Sequence, residues 1–498
     1  MQRALIATIV ALFGVFAGAA QAASPRATHI VQLSEGVTLE EGRSAVRAAG
    51  GQVADTLPLI NGLAVRIEST ERLRGDARIE SVSRNAPIRS QSSRFDPSLL
   101  GTAYPASVLA PPAWNQATGA GVGVAVIDTG VDGGLVDFKN ADGESRVIAS
   151  VVTNPDATTP NDDLGHGTHV AGIIAGDSTR RPAGDPLAGK YVGIAPEANL
   201  IAIKASDDEG EGTILDAIYG LQFVVDHKAD YNIRVVNLSV RSTEAETYMT
   251  DPLDAAVEAA YFSGIVVVAA AGNNGSAEDA THYAPANDPF AITVGAADDQ
   301  GTTARGDDTI ASWSSVGYTQ DGVMKPDLAA PGAQIVSTFS PSAAFGSLCP
   351  ECVVDGEYMR IGGTSMAAPV VAGVAALLLQ VHPEWTPDQV KSTLIETSRD
   401  VAGGGVNEVN AAAALAVAQP FSGADADIIP NDLVDPTTGA IDYTRSSWGR
   451  SSWGRTDGPL AAGWVDDNFG CVCPGWGDEE TETPRSSWGT KWLVKWNG

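Results

Sequence analysis

The chain is poor in several residue types, and each shortage narrows the kind of protein it can be. It has 31 Lys and Arg against 61 Asp and Glu, which gives a formal net charge of −30 at pH 7. So few positive charges argue against nucleic acid and anionic membranes as partners, because their phosphates would be repelled. A saline habitat or cation binding could each account for the acidity, and composition does not choose between them.

Long hydrophobic runs are also scarce. An extended apolar run covers residues 4–19, after Met1-Gln-Arg3 and before Ala20-Gln-Ala22. It falls short of the roughly 20 residues that span a bilayer, and its charged, apolar and small-residue regions are typical of a secretory signal peptide. The sequence therefore predicts a signal peptide over residues 1–23, a secreted extracellular protein and no membrane span.

The chain has only four cysteines, which excludes a densely cross-linked scaffold. They form two close pairs, Cys349 with Cys352 and Cys471 with Cys473. In an exported chain the first interpretation is disulfides, with three possible connectivities. A zinc site of four thiolates is the alternative, although Cys-x-Cys is an unusual spacing for it.

A length of 498 residues predicts more than one folded unit. Residues 24–90 read as a small α+β domain, with strands at His29–Leu33 and Gly62–Ile67 and a helix near Leu39–Ala49. Residues 91–418 form the largest unit. Residues 419–498 differ in composition, being rich in Pro, Asp, Gly and Trp.

In the largest unit, runs rich in Val and Ile alternate with longer helical patterns. This alternation predicts an α/β fold with a three-layer arrangement, a parallel sheet flanked by helices. The predicted strands are Val122–Ile127, Asn199–Lys204, Arg234–Val240, Ile265–Ala270 and Ala291–Val294. The predicted helices are Thr213–His227, Pro252–Ser263, Met366–His382 and Pro387–Ser398.

The C-terminal extension contains the unit Arg-Ser-Ser-Trp-Gly three times, at Arg445, Arg450 and Arg485. Most of the ten tryptophans lie there. Because disordered tails are poor in aromatic residues, we expect this segment to pack on something. The catalytic domain and the cell surface are both open as docking partners.

Three separated patches each hold one member of a nucleophilic system. Asp128 lies in Val-Ile-Asp-Thr-Gly, His166 in Gly-His-Gly-Thr-His, and Ser365 in Gly-Thr-Ser-Met-Ala-Ala-Pro. A serine hydroxyl is a poor nucleophile at neutral pH, so it needs an imidazole as base and a carboxylate to hold that imidazole in the correct tautomer. The residue types and their settings indicate a catalytic triad of acid, base and nucleophile.

Each of these residues also has an ordinary structural explanation. Asp128 could stabilise a turn, and Asp-Thr-Gly occurs in aspartic proteases, which however need paired carboxylates in a β-rich setting. His169 competes with His166 as the base or could join it in a metal pair, but no acidic residue follows at the spacing of helical zinc motifs. Ser365 could be a helix N-cap.

The three patches together, in the chain order Asp, His, Ser, resemble the subtilisin-like serine proteases. Further similar stretches are Gly193–Pro196, Lys325–Gly332 and Gly405–Ala411, so the resemblance spans about residues 28–418. It implies that Asp128, His166 and Ser365 are catalytic, that His169 is structural and that residues 24–90 are an inhibitory propeptide. The substrates would be proteins or peptides, and the propeptide would be an intramolecular partner.

The resemblance also implies an oxyanion hole and a substrate cleft. Asn273 would supply a side-chain donor to the oxyanion, with Asn274 as the adjacent competitor. The substrate-binding residues would be Ser239, Val240, Arg241 and Gly272.

This chain departs from the family pattern in the cleft. Val240-Arg241-Ser242 stands where the family usually has Leu-Gly-Gly, and Tyr283 falls near the floor of the primary pocket. Together they favour a narrowed or shallow pocket, unless Arg241 points to solvent.

The chemistry requires no cofactor. Asp137 matches a calcium-binding aspartate of some relatives, but the loop around Arg180–Lys190 carries an insertion, so a structural calcium ion is an expectation that the sequence does not decide. The predicted function is a secreted serine endopeptidase with an acyl-enzyme intermediate. The alternative is a secreted binding module that kept the fold without catalysis; an esterase is disfavoured because Ser365 lacks the Gly-x-Ser-x-Gly elbow.

Overall fold

The computed structural model describes residues 27–431, except residues 35, 91, 96–101, 183, 403–404 and 427. In chain order its strands are β1 (His29–Leu33), β2 (Gln52–Leu57), β3 (Gly62–Arg66), β4 (Ile79–Arg84), β5 (Pro87–Ser90), β6 (Ser92–Phe95), β7 (Gly123–Asp128), β8 (Val147–Val152), β9 (Asn199–Lys204), β10 (Gly212–Thr213), β11 (Ile233–Leu238), β12 (Val240–Ser242), β13 (Val266–Ala270), β14 (Ile292–Asp298), β15 (Thr309–Ile310), β16 (Gly317–Tyr318), β17 (Met324–Lys325), β18 (Leu328–Pro331), β19 (Ile335–Thr338), β20 (Val353–Val354) and β21 (Tyr358–Gly363).

The helices of the same residues are α1 (Leu39–Ala48), α2 (Glu71–Arg74), α3 (Tyr104–Ser107), α4 (Ala110–Ala113), α5 (His166–Ala175), α6 (Ile214–Asp226), α7 (Pro252–Phe262), α8 (Ala344–Leu348), α9 (Thr364–Val381), α10 (Pro387–Glu396) and α11 (Ala411–Leu415). The longest of them, α9, is also long and apolar enough to cross a bilayer, but 89% of it is buried inside the protein, as expected of a core helix.

The central sheet has the strand order β15-β14-β13-β11-β7-β9-β8, and β18 also pairs with β14. Strands β14, β13, β11, β7, β9 and β8 run parallel to their neighbours. The strand β7 lies near the middle of this sheet, so both of its faces are covered. A buried parallel strand of this kind reads as a continuous apolar run, as Val-Ala-Val-Ile does here.

Alternate side chains of β7 enter two different cores, because successive residues of a strand point to opposite faces. Val124 and Val126 pack with α5 and α9, whereas Ala125 and Ile127 pack with α6 and α7. The two cores make the three layers, helices on each side of one sheet. The predicted α/β three-layer fold is confirmed.

Residues 27–90 form a four-stranded antiparallel sheet in the order β2-β3-β1-β4. One face of this sheet, which includes Val31 and Leu63, packs on α1 and on Leu73 of α2. The other face contributes Ile30 and Ala64 to the core that contains α6 and α7. The predicted small α+β unit is therefore present and is packed against the larger one.

After this unit the chain passes through the edge of the larger unit. The strand β5 lies between β10 and β12, antiparallel to both, with Ser90 opposite Val240. The strand β6 then pairs with β21, with Ser92 opposite Gly363. Ser90 is thus paired with β12 and Ser92 with β21, the strand that leads into α9.

The beginning of the C-terminal extension packs on helices of the larger unit. Asp425 accepts from Lys391 Nζ at 2.7 Å and from the Tyr261 hydroxyl at 2.8 Å. The backbone N–H of Asn431 donates to the two carboxylate oxygens of Glu258 at 3.0 and 2.9 Å. The Trp-containing repeats and residues 1–23 lie outside the described residues, as do Cys471 and Cys473.

One sequence prediction needs adjustment, and one that was left open is settled for one pair of cysteines. The strand predicted over Arg234–Val240 divides after Leu238, because Val240 belongs to a different sheet. Of the possible cysteine pairings, the structure contains the Cys349–Cys352 disulfide.

Candidate active site

The predicted site residues gather at the carboxyl edge of the central sheet, where parallel α/β sheets bind ligands. Asp128 is the last residue of β7, and Ser239 directly follows β11. The strands are hydrogen-bonded neighbours with Leu238 opposite Ile127, so Ser239 and Asp128 occupy adjacent positions about 5 Å apart.

His166 is hydrogen-bonded to Asp128. Its Nδ1 lies 2.6 Å from Asp128 Oδ1, and both side chains are fully buried. The backbone N–H of Thr129 donates to the same carboxylate oxygen at 2.8 Å. A carboxylate at Nδ1 favours the tautomer with its proton on that nitrogen, which leaves Nε2 as the basic atom.

The start of α5 is held against the Asp-Thr-Gly turn. A side chain at Gly167 would meet the Gly130 carbonyl oxygen at 2.2 Å, so only glycine permits this approach. The Thr129 hydroxyl accepts from Gly167 N at 2.9 Å and donates to Asp162 at 2.8 Å. The close contact at Gly167 explains why a glycine directly follows His166 in the sequence.

Asp162 caps the same helix end. Its carboxylate accepts from the backbone N–H groups of Gly165 and Thr168, both at 2.7 Å, and it lies at the positive end of the helix dipole. Burial raises the pKa of Asp162, and these hydrogen bonds oppose that rise. The sequence prediction did not include Asp162 or Thr129, although Thr129 is part of the Asp-Thr-Gly motif that singled out Asp128.

Ser365 is fully buried in the first turn of α9 and is joined to Ser239 in both directions. Ser365 Oγ donates to the Ser239 carbonyl at 3.3 Å, and Ser239 Oγ donates to the Ser365 carbonyl at 3.0 Å. Pro369 explains the second bond. As the residue four positions on, it has no N–H to give to the Ser365 carbonyl, which therefore accepts from Ser239 instead.

The predicted link between Ser365 and His166 is not formed in this structure. The serine hydroxyl is directed to Ser239, and His166 Nε2 is buried without a hydrogen-bond partner. Hydrogen bonds between catalytic groups are often long or poorly aligned before substrate binds.

Asn273 is tied to the residue before the serine. Its side-chain oxygen accepts from Thr364 N at 3.0 Å and from the Thr364 hydroxyl at 3.2 Å. Gly272 N donates to the same hydroxyl at 3.0 Å. Asn273 is therefore oriented by the beginning of α9, and the backbone N–H of Gly272 is already used inside the protein.

His169 lies in a different environment from His166. Its Nε2 is 2.8 Å from the Met359 carbonyl, and burial lowers its pKa to about 3. It is therefore neutral at any working pH, which fits the structural role that the resemblance implied.

Asp137 has a protein cation beside it. The carboxylate accepts from the Tyr358 hydroxyl at 2.7 Å and lies 3.3 Å from Arg181 Nε. Arg181 also donates to Glu357 at 2.7 Å. Within the part of the chain that the structure describes, no group of three or more acidic, His or Cys side chains is arranged to hold a metal ion. The residues present at Asp137 thus do not fit calcium, because Arg181, from the inserted loop, supplies the positive charge.

We expect Arg181→Gln to lower the free energy of unfolding by about 3 kcal/mol, because it leaves the buried Asp137 carboxylate without its cation. Thermal denaturation of the Ser365→Ala chain, with and without Arg181→Gln, avoids self-digestion. Lys190→Gln is the control, since it removes an equal charge from an exposed ion pair.

The same measurement addresses calcium at this position. We expect the midpoint of the Ser365→Ala chain to be unchanged by millimolar EDTA or calcium. A clear rise with calcium that Asp137→Asn abolishes would contradict the role given to Arg181.

The remaining predicted substrate residues lie in β12 or directly before it. Ser239 and Val240 are buried, and the Arg241 guanidinium stacks on Tyr283 with its carbon 4.4 Å from the ring centroid. Arg241 is therefore turned toward Tyr283 and is not extended into solvent.

A parallel sheet flanked by helices, with an acid–imidazole pair and a buried serine at its carboxyl edge, is the arrangement of a serine protease of the α/β class. The Subtilase family (Peptidase S8) matches residues 119–412, and the chain belongs to this family.

Two of the relatives are proteases of Bacillus subtilis. Serine protease AprX from Bacillus subtilis (strain 168) is 41% identical over 282 residues, which cover 56% of this chain and 61% of AprX. Subtilisin E from the same organism is 36% identical over 283 residues, with the same coverage of 56% and 61%. The chain thus spans about three-fifths of the length of these relatives.

A solved structure has the same fold. Fervidolysin from Fervidobacterium pennivorans, described as a keratinolytic enzyme related to subtilisin, superposes with a TM-score of 0.61 at 26% identity. The match covers 80% of this chain and 62% of fervidolysin.

Proposed function

We propose that this protein is a secreted serine endopeptidase that hydrolyses peptide bonds through Asp128, His166 and Ser365. The observation that carries the proposal is the buried 2.6 Å hydrogen bond between Asp128 and His166, one strand away from the Ser239–Ser365 pair. A fold kept only for binding would have no need of an acid–imidazole pair at this edge.

In the proposed reaction, Ser365 Oγ turns from Ser239 to His166 Nε2. The imidazole takes the hydroxyl proton as Oγ attacks the carbonyl carbon of the substrate, and Asp128 stabilises the imidazolium that forms. The proton then passes to the leaving amine, and water hydrolyses the acyl-enzyme by the same route. No metal or cofactor takes part in these steps.

The negative oxygen of the tetrahedral intermediate would lie at the beginning of α9. The backbone N–H of Ser365 and the positive end of an 18-residue helix favour negative charge there. Asn273 is the proposed side-chain donor, because its oxygen is engaged by Thr364 and its amide nitrogen must point the other way.

We expect Asn273→Ala to lower kcat by about 10²- to 10³-fold with little change in KM, the size of effect measured for the corresponding donor in a subtilisin. Steady-state hydrolysis of a fluorogenic peptide measures both constants. The matched control is Asn274→Ala, an exposed neighbour that should keep nearly full activity. Equal losses in the two variants would remove Asn273 from this role.

The N-terminal unit is proposed to be the inhibitory propeptide. Its strand β5 is bound as a substrate would be, as an added strand on β12. Further contacts hold it there, including Arg84 to Glu244 and Ser83 to Glu246, each at 2.7 Å. A chain in this position blocks the cleft until it is cut and released.

Protein or peptide substrates are the proposed partners, with export directed by residues 1–23. The acidic composition makes nucleic acid an improbable partner on electrostatic grounds. Docking of the Trp-rich repeats, to this domain or to a cell surface, stays a prediction.

A fluorophosphonate probe tests the proposal directly, since it reacts only with an activated serine. We expect it to label the processed wild-type protein and not Ser365→Ala, and we expect the labelled protein to lose hydrolysis of casein. Equal labelling of both proteins, or no casein hydrolysis after removal of the N-terminal unit, would overturn it.

A further inference from the structure

The strand β12 forms the wall on which an extended peptide binds, and the register of β5 defines the positions along it. Ser90 lies opposite Val240, and Arg89 lies opposite Arg241. Extending the register by one residue places the next position opposite Ser239, whose carbonyl accepts from Ser365 Oγ. A substrate residue opposite Ser239 is therefore the one before the scissile bond (P1), and a residue opposite Arg241 is the third before it (P3).

The side chain of Arg241 lies on the same face as the P1 and P3 side chains. Directly opposed residues of an antiparallel pair share a face, and residues two apart on one strand do so as well. Diagonal neighbours remain within reach of a long side chain, so the guanidinium can contact either position.

Arg241 is held in place without being neutralised. Its guanidinium stacks on the Tyr283 ring, and the Tyr283 hydroxyl donates to Asp279 at 2.5 Å, which fixes the ring. The backbone bridge between Ala245 and Tyr283 fixes the same ring relative to β12.

The hydrogen-bond donors of the Arg241 guanidinium are not all satisfied. Nη1 is buried and makes no hydrogen bond to any described residue. Burial lowers the pKa of Arg241, with Tyr283 and Asp279 opposing this effect only through space. Leaving a buried cationic donor unsatisfied costs free energy, which a carboxylate placed against it would recover.

We propose that Arg241, supported by Tyr283, selects substrates that carry an acidic side chain at P1 or P3. The inference rests on the proposed peptidase function and adds a substrate class to it. The Tyr283 ring occupies space beneath the guanidinium, so the same pair disfavours large aromatic side chains at P1. The strongly negative charge of the whole chain repels acidic peptides in general, which makes a local cation on the cleft wall the more necessary for binding them.

Quenched fluorescent peptides that differ only in Glu, Gln or Lys at P1 or at P3 test the proposal on the mature enzyme processed from the full chain. For the wild type we expect kcat/KM for Glu to exceed that for Gln by about tenfold at one of the two positions, the effect of one charged hydrogen bond. Arg241→Gln should bring this ratio to about one, and Arg241→Glu should reverse the preference toward Lys.

Controls separate a local effect from a change in net charge. Lys139→Gln removes one positive charge from a residue outside β12 and should leave the Glu/Gln ratio unchanged. Tyr283→Phe keeps the ring and should keep most of the preference. Fluorophosphonate titration gives the concentration of active enzyme in each preparation.

These measurements separate failure of the role proposed for Arg241 from failure of the proposed peptidase function. If the wild type is labelled by the probe and cleaves the Gln peptides as well as the Glu peptides at both positions, the role of Arg241 is wrong and the peptidase function stands. If it is neither labelled nor active on any peptide, the function itself fails. A Glu preference that survives Arg241→Gln also overturns the role of Arg241.

Discussion

Ser365→Ala is expected to lower kcat by about 10⁶-fold, the order of the loss known for removal of the nucleophile in subtilisin. The alanine side chain cannot form the acyl-enzyme, and the remaining activity would come from the oxyanion donors alone. Once added wild-type enzyme has removed the N-terminal unit from the variant, KM should change little, because the proposed substrate strand β12 is unaltered. Active-site titration and peptide hydrolysis measure the effect.

The same substitution should arrest maturation. Ser90 is paired with β12, and Ser92 is paired with β21, the strand that leads into α9 and Ser365. With P1 at the position that follows Ser90 in this register, the wild-type protein should be cut after residue 91 and acquire a new amino terminus at residue 92. N-terminal sequencing and intact mass should find this terminus in the wild type and a retained N-terminal unit in Ser365→Ala. A trace of active wild type added to the variant shows whether the cut can be made between molecules.

Ser392→Ala is the matched control, since it removes a serine hydroxyl from α10, outside the proposed site. It should mature and turn over normally. Cutting of a purified Ser365→Ala chain at the same bond, without added enzyme, would contradict self-processing by Ser365.

Much of the fold could be predicted because the sequence signals were local. The β7 run Val-Ala-Val-Ile is buried on both faces, and Asn199–Lys204 matches its predicted strand residue for residue. The proximity of Asp128 and His166 was predicted from the three motifs and the family resemblance that they carry. Their catalytic roles stay predictions until the variants are measured.

Other features depend on contacts between distant segments, which no local pattern indicates. The break after Leu238 arises because Val240 pairs with β5, some 150 residues earlier in the chain. Arg181 reaches Asp137 only through the folded loop that follows α5. Sequence comparison located that insertion, but its consequence, an arginine in place of a bound cation, required the side-chain geometry.

Pro369 is the last residue of the motif that singled out Ser365, and its effect depends on its place in the helix. In the structure it is the sixth residue of α9, so it does remove a donor from the first helical turn. The carbonyl left without that donor belongs to Ser365 and accepts from Ser239, which links the start of α9 to the segment between β11 and β12.

Asp128→Asn should lower kcat by about 10³- to 10⁴-fold and leave KM nearly unchanged, since Asp128 lies behind His166 and does not contact substrate. Asp128 Oδ1 accepts from both His166 Nδ1 and Thr129 N, whereas Oδ2 is buried without a hydrogen-bond partner. An asparagine has two ways to fill this place, and each impairs the imidazole.

With the amide oxygen at the Oδ1 position, both hydrogen bonds are kept, but the NH₂ group is buried without an acceptor and no charge supports the imidazolium. With the groups exchanged, NH₂ faces Nδ1 and forces the proton onto Nε2, the atom that must receive it from Ser365. Asp137→Asn makes the same chemical change at another buried carboxylate and should lower stability while sparing kcat. A kcat for Asp128→Asn within tenfold of the wild type would mean that Asp128 only positions the turn, because neither orientation of the amide can replace the carboxylate.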